Sequence, residues 1–306
     1  MNELVTILGP TACGKTNLAC QLAYDCQGAV ISADSRQVYQ GLDIGTGKDL
    51  DEYRVENYQI PYYLIDVAPP TVEYNVFLYQ KDFLKAYQDL KSRKLVPILC
   101  GGSGMYLQAV LDGYQLLKVP ENKELRMTLQ NKSHQELVQL LKSVRKIHNT
   151  TDIEDHDRLI RAVEIATYEN QHPELVQPFP AFNHYIFGIK TDRSQLKDRI
   201  TKRLKNRLDN GMVSEVEGLL KAGVSTEKLK FFGLEYRYIT LYLEGDLNFN
   251  DMYQKLNAAI HNFAKRQMTW FRRMERQGWQ IHWLDADKRV EENVTEIRQF
   301  LKLTDR

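Results

Sequence analysis

The chain has no stretch approaching the roughly 20 consecutive apolar residues needed to cross a bilayer. A membrane role is therefore not expected. The start, Met1-Asn2-Glu3, carries no basic segment followed by an apolar run, so no signal peptide is read and the expected compartment is the cytoplasm. Cysteine is scarce. Cys13, Cys20, Cys26 and Cys100 form no C-x-x-C pair, and none lies near histidines at zinc spacing. They read as free thiols of a reducing compartment. Charge of one sign is not in excess: 41 Lys and Arg face 40 Asp and Glu, a net +1. That balance excludes a chain basic throughout and leaves local patches open. Internal repeats and low-complexity tracts are also lacking. The remainder is 43% hydrophobic and 26% charged over 306 residues, enough for one large globular domain or two smaller ones.

The first third alternates strand and helix. Leu4 to Leu8 is a short apolar run, followed by a glycine-rich turn and a helical stretch from Lys15 to about Cys26. Ala29 to Ser32, Tyr62 to Val67 and Leu95 to Cys100 are further runs. Between the last two, Val76, Phe83, Leu84, Tyr87 and Leu90 fall near helical spacing, with Asn75 as N-cap. Short apolar strands separated by helices imply a parallel sheet covered on both faces. Residues 113–182 are more polar and read as two or three helices inserted between sheet strands, with Pro173, Pro178 and Pro180 at the exit. Strand signals return at Tyr185 to Ile189 and at Gln280 to Leu284, in an otherwise helical remainder. The expected domains are thus 1–112 with 183–306, and the insertion 113–182.

Gly9-Pro10-Thr11-Ala12-Cys13-Gly14-Lys15-Thr16 fits G-x-x-x-x-G-K-[ST]. It follows an apolar strand and opens a helix, the context a P-loop requires. Its glycines let backbone N–H groups turn inward around phosphate, and the helix N-terminus adds partial positive charge. Lys15 brings a full charge, and the Thr16 hydroxyl can ligate Mg2+. The bland reading is a chance match on an ordinary strand–turn–helix. The cradle does not name its ligand, and ATP is the default. Yet no strand ends in an obvious second metal-binding Asp; Asp66 is the nearest candidate.

The second run ends in Ser32-Ala33-Asp34-Ser35. Reactive groups of parallel sheets collect at the carboxyl ends of strands, so Asp34 should face the P-loop. A carboxylate there can take a proton from a nucleophile, either a hydroxyl, as in a small-molecule kinase, or an amine. The bland reading is that Asp34 caps a turn.

From Asp34 the chain reads D-S-R-Q-V-Y-Q-G-L-D-I-G-T-G-K. Together with the P-loop, this string resembles the tRNA dimethylallyltransferases, bacterial type. The likeness continues in Gly101-Gly102-Ser103-Gly104-Met105-Tyr106, in Asp157-Arg158-Leu159-Ile160-Arg161-Ala162-Val163-Glu164, and in Ala264 to Arg272. Five blocks in order span residues 9 to 272.

The resemblance implies a P-loop-type α/β fold, a parallel sheet flanked by helices, with a helical insertion domain. It implies transfer of a dimethylallyl group from dimethylallyl diphosphate to N6 of the adenosine 3′ of the anticodon, in tRNAs reading U-starting codons. Gly9 to Thr16 would hold the diphosphate, with Mg2+ on Thr16. Asp34 would be the general base, and Ser35, Arg36 and Gln37 would line the pocket of the flipped base. Ser103 would stand near the reaction centre, where the family has Thr. Arg158 and Arg161 would face substrate, and Lys265, Arg266 and Arg272 would lie on the tRNA side. A monomer is expected, with the insertion touching the anticodon stem-loop.

An allylic diphosphate ionises easily, so the main task is to stabilise the departing diphosphate; Lys15, backbone N–H groups, Mg2+ and an Arg suit that. A positioned carboxylate assists the weakly nucleophilic amine. The adenine must also leave its stack, and Tyr39, Tyr106 and Trp270 are candidates to stack on it.

Several basic residues have bland alternatives. Lys265, Arg266, Arg272, Arg273 and Arg276 share one helix, which could be RNA-facing or merely solvated. The mixed-basic segment 192–207, including Arg203 and Arg207, reads better as a solvated face. Phe263, Met268 and Phe271 read as core. Phe232-Gly233-Leu234-Glu235-Tyr236-Arg237 departs from the family's Ile-Gly-Tyr-Arg/Lys block, so either Arg237 or Lys230 could supply that cation. A small-molecule kinase and a tRNA-binding protein without catalysis remain the alternative readings.

Overall fold

The computed structural model describes residues 3–144, 155–176 and 178–302. The chain divides into two compact units, Met1–Asp112 with Ala181–Arg306, and Gly113–Pro180.

The larger unit begins with β1 (Glu3–Leu8), α1 (Lys15–Cys26) and β2 (Gly28–Ala33), followed by the short β3 (Arg54–Val55), β4 (Tyr58–Gln59) and β5 (Tyr62–Tyr63). Then come α2 (Val76–Ser92), β6 (Val96–Gly101) and α3 (Gly104–Leu111). The smaller unit holds α4 (Lys123–Gln130), α5 (His134–Val144) and α6 (His156–Gln171). The larger resumes with β7 (Asn183–Lys190), α7 (Arg193–Asp209), α8 (Met212–Lys221), α9 (Thr226–Phe231), α10 (Leu234–Leu243), α11 (Phe249–Arg276), β8 (Ile281–Asp285) and α12 (Val290–Leu301).

Six strands form a parallel sheet in the order β5-β2-β6-β1-β7-β8, while β3 and β4 pair antiparallel as a separate ribbon. All six residues of β2 are buried, as are the last five of β1. A strand covered on both faces cannot alternate polar and apolar residues, which is why these read as continuous apolar runs. Burying each of Leu4, Ile7 and Leu8 completely stabilises the fold by about 1.5–3 kcal/mol. The order places the carboxyl ends of β1, β2 and β6 side by side, and the glycine-rich turns leave the sheet from them. Asn75 caps α2 by accepting the Leu78 N–H at 3.1 Å.

One expected strand is curtailed. Tyr62 to Val67 has the right composition, but β5 stops at Tyr63 because Leu64 (φ 63°) and Asp66 (φ 55°) enter the left-handed region. Asp66 is thereby turned to grip the buried Lys48, which also donates to Asp43 at 2.6 Å and to the Tyr39 carbonyl at 2.8 Å. Asp66 thus ties down the loop that follows β2.

The smaller unit packs α4, α5 and α6 around Leu129, Leu137, Leu141, Leu159 and Val163. Glu164 is buried there, 1% exposed. Burial alone would raise its pKa, but Arg126, the Asn122 N–H and Arg161 together hold it down to about 2. Among the described residues no helix is long and apolar enough to cross a membrane.

Candidate active site

The turn after β1 is built for an anion. Ala12 (φ 64°) and Gly14 (φ 86°) are left-handed, and such alternation turns successive amides to one side. At Gly14 the chain enters α1, whose N-terminus adds its dipole. Lys15 Nζ folds back on the Pro10 carbonyl at 3.4 Å. The Thr16 hydroxyl has no hydrogen-bond partner among the described residues. Gly9 and Cys13 lie buried beneath the loop, and burial pushes the Cys13 thiol up.

Asp34 leaves the end of β2 facing the same space. Its Oδ1 accepts the Arg36 N–H at 2.9 Å and the Gln37 N–H at 3.4 Å, so it does cap a turn. Its Oδ2 is left without a hydrogen-bond partner among the described residues. The bland and chemical readings therefore coexist: one oxygen fixes the carboxylate and the other is available. A cavity of about 240 Å³ is lined by Thr11, Lys15, Thr16 and Asp34 together with Asp49 and Arg203.

Arg203 corrects the reading of segment 192–207 as a solvated face. It comes from α7 and donates to the Thr11 hydroxyl inside the cavity. Burial, together with its neighbour Arg207, pushes its guanidinium down to about 10. Arg207 is itself buried and pairs with Asp49 at 2.7 Å, whereas no carboxylate pairs with Arg203 among the described residues. Glu235 and Asp49 act on it only at longer range, and a guanidinium that closes on no carboxylate favours a bound anion.

Gln267, on α11, is a second group not anticipated from the sequence. Its Oε1 accepts the Thr11 N–H at 2.8 Å, and its Nε2 donates to the Gly102 carbonyl at 2.9 Å. A Cβ on Gly102 would lie 2.3 Å from that Nε2, so the glycine is needed for the approach. Gln267 lies within the quoted block around Ala264 to Arg272, and being the block's polar residue on an apolar helix face is the signal that could have marked it.

An IPP transferase family model matches residues 37–274, and an isopentenyl transferase model matches residues 2–66. The chain is 51% identical over 300 residues to "tRNA dimethylallyltransferase 2" of Bacteroides fragilis, covering 98% of both. It belongs to the tRNA dimethylallyltransferase family. A homologue of the same name from Trichlorobacter lovleyi is 56% identical over 285 residues, covering 93% of this chain and 92% of that one. The crystal structure of the tRNA isopentenylpyrophosphate transferase of Bacillus halodurans superposes with a TM-score of 0.72 at 29% identity, covering 99% of this chain and 96% of that chain.

In this member of the tRNA dimethylallyltransferase family, the other anticipated residues fall into distinct groups. Ser103 Oγ accepts the Ser35 N–H at 3.0 Å, knitting the end of β6 to the turn after β2. Gln37 lines the cavity, held by the Ser32 hydroxyl and the Gly47 carbonyl, both at 2.9 Å. Glu215 braces the far wall by accepting the N–H groups of Asp43, Ile44 and Gly45 at 2.6–3.1 Å and the Tyr236 hydroxyl at 2.7 Å. Arg237 donates to the Lys230 carbonyl at 3.1 Å, and Lys230 pairs with Glu244 at 2.6 Å. Neither lines the cavity; Arg203 does. Lys265, Arg266 and Arg272 are exposed on α11, whereas Arg273 lies over the Trp270 ring at 4.1 Å and donates to Gln108 at 3.0 Å.

Arg158 is exposed in the smaller unit. Arg161 there is bound to Glu164 and, at 2.7 Å, to the Val119 carbonyl. Among the residues considered for stacking, Tyr39 and Tyr106 are buried, the latter against Tyr79 at 4.0 Å, and Trp270 already carries Arg273. Phe263, expected in the core, is 38% exposed, because only Phe271 of that pair points inward.

Proposed function

We propose that the protein transfers a dimethylallyl group from dimethylallyl diphosphate to N6 of the adenosine 3′ of the anticodon, in tRNAs reading U-starting codons. It does so in the cytoplasm and as a single chain. The observation that carries this reading is that Asp34 and Lys15 line one cavity.

The diphosphate lies on the P-loop amides, Lys15 and Arg203. As the allylic C–O bond breaks, charge accumulates on the diphosphate, where these donors gain most. The N6 lone pair forms the new C–N bond, and the N6 proton passes to Asp34 Oδ2. Ser35, Arg36, Gln37 and Ser103 shape the entrance for the flipped base. The exposed Arg158, Arg237, Lys265, Arg266 and Arg272 meet the RNA, whereas Arg161 is committed to Glu164. The Thr16 hydroxyl, unpartnered among the described residues, with Glu52 and the Arg207-paired Asp49 lining the same cavity, fits Mg2+ arriving with the diphosphate. When bound, the ion neutralises charge on the leaving group.

The test is incubation with Mg2+, dimethylallyl diphosphate and tRNA from a strain lacking the modification, followed by digestion to nucleosides. Isopentenyladenosine is expected without ATP. Its absence under conditions where the tRNA binds would overturn the assignment, and an ATP requirement would favour a kinase.

A further inference from the structure

Phe231, the last residue of α9, is 49% exposed, although Phe232 beside it is fully buried. Its ring is not isolated. The Arg36 guanidinium lies over it at 5.0 Å from the centroid, a cation–π geometry. Arg36 makes no ion pair or side-chain hydrogen bond among the described residues, although burial lowers its pKa and so disfavours its charge. An inward-lying guanidinium with open donors is costly unless something else satisfies it.

The position of the pair is fixed by the reaction centre. The Arg36 N–H is held by Asp34 Oδ1, so the Arg36–Phe231 stack is tied through one residue to the proposed base. Lys228 of the same helix, with Nζ 5.8 Å from the Phe232 ring, and the exposed Arg237 of α10 add positive charge nearby. A flat apolar face beside open guanidinium donors matches a nucleobase with its phosphate. A single aromatic among cations is too small an apolar area for a protein interface.

We infer that Phe231, stacked on Arg36, is a platform for a nucleobase of the anticodon loop next to the adenosine that reacts. This rests on the proposed function. The flipped adenine occupies Asp34, and its strand neighbour meets Phe231. Stacking there offsets part of the cost of unstacking the loop.

Two measurements test it, with a stem-loop RNA as substrate. Phe231→Ala should raise KM for the RNA about tenfold or more, the usual scale for loss of one base–aromatic stack. KM for dimethylallyl diphosphate and the melting temperature should not move. Phe231→Trp should restore the RNA KM, and Phe249→Ala, which removes a comparably exposed ring elsewhere (50%), should leave it unchanged. In the unmodified protein, RNA carrying 5-iodouridine on each side of the reacting adenosine should photocross-link to the peptide containing Phe231. An unchanged RNA KM in Phe231→Ala, no rescue by tryptophan, or cross-links only elsewhere would overturn the platform. Absence of product from the unmodified protein would instead overturn the function itself.

Discussion

Arg203 on α7 and Arg161 on α6 look alike in sequence, each a cation in a charged helix, yet the two regions use them in opposite ways. Arg161 closes on the buried Glu164 and the Val119 carbonyl, so its charge is spent on tying α6 to the segment that leads into α4. Arg203 sits beside a second arginine at the edge of the P-loop, and among the described residues its guanidinium hydrogen-bonds the Thr11 hydroxyl and no carboxylate. The difference shows how to separate structural cations from functional ones. A cation that already has its carboxylate contributes fold stability; one held without a carboxylate reserves its field for a substrate.

The largest expected effect lies opposite the unpaired cation. Asp34→Asn keeps the Oδ1 that accepts the turn N–H groups but removes the proton acceptor. Single-turnover rates should fall by about 10²–10⁴-fold. Diphosphate affinity, read by calorimetry, should stay within about twofold. Undiminished turnover would remove Asp34 as the base.

Next is the pair itself. Arg203→Gln should lower kcat/KM for dimethylallyl diphosphate by about 10²–10³-fold without loss of thermal stability. Arg161→Gln should do the reverse, sparing diphosphate binding while loosening the insertion unit. If the two variants exchanged phenotypes, the contrast drawn above would fail.

The Glu164 cluster can also be probed with acid. Its folded pKa of about 2 lies below the ordinary 4.5, so its contribution is fully present above pH 4.5 and is lost as pH falls toward 2. That contribution is about 3 kcal/mol by linkage. Hydrogen exchange in α6, corrected for intrinsic rates, should therefore accelerate across this window, while Glu164→Gln should be exchange-prone already at neutral pH. An α6 equally protected in both proteins would show that the cluster holds little.

The smallest effect concerns Gln267. Gln267→Leu removes two hydrogen bonds from the P-loop side and should cost about 1–3 kcal/mol, read as a lowered melting temperature and a raised KM for the diphosphate. Gln267→Glu keeps the acceptor for Thr11 and loses the donor to Gly102, so it should fall between Leu and the parent. Equal behaviour of the two variants would show that the clamp on Thr11 carries nothing.

Local rules made much of this legible in the sequence. The P-loop, the ends of α1, the Asn75 cap and the position of Asp34 at a strand end all follow from spacing within a dozen residues. What the sequence hid depends on distance along the chain. Arg203 reaches Thr11 from 192 residues away, and Gln267 reaches it from 256. No periodicity encodes either meeting. The short β5 was hidden for another reason: its apolar composition is strand-like, but the demand of buried Lys48 for carboxylates turns Asp66 out of line. Tyr39, considered for stacking, is instead buried because its hydroxyl has a partner, the Tyr74 N–H at 3.0 Å.

The Gln267 bridge also orders events during synthesis. The P-loop leaves the ribosome well ahead of α11, and the amide that steadies its Thr11 N–H lies 256 residues further along the chain. A nascent chain thus carries an unbraced P-loop until α11 has emerged, and a message cut short before α11 yields a product that cannot lock that turn. A firm grip on the P-loop therefore waits on a distant, later-made helix.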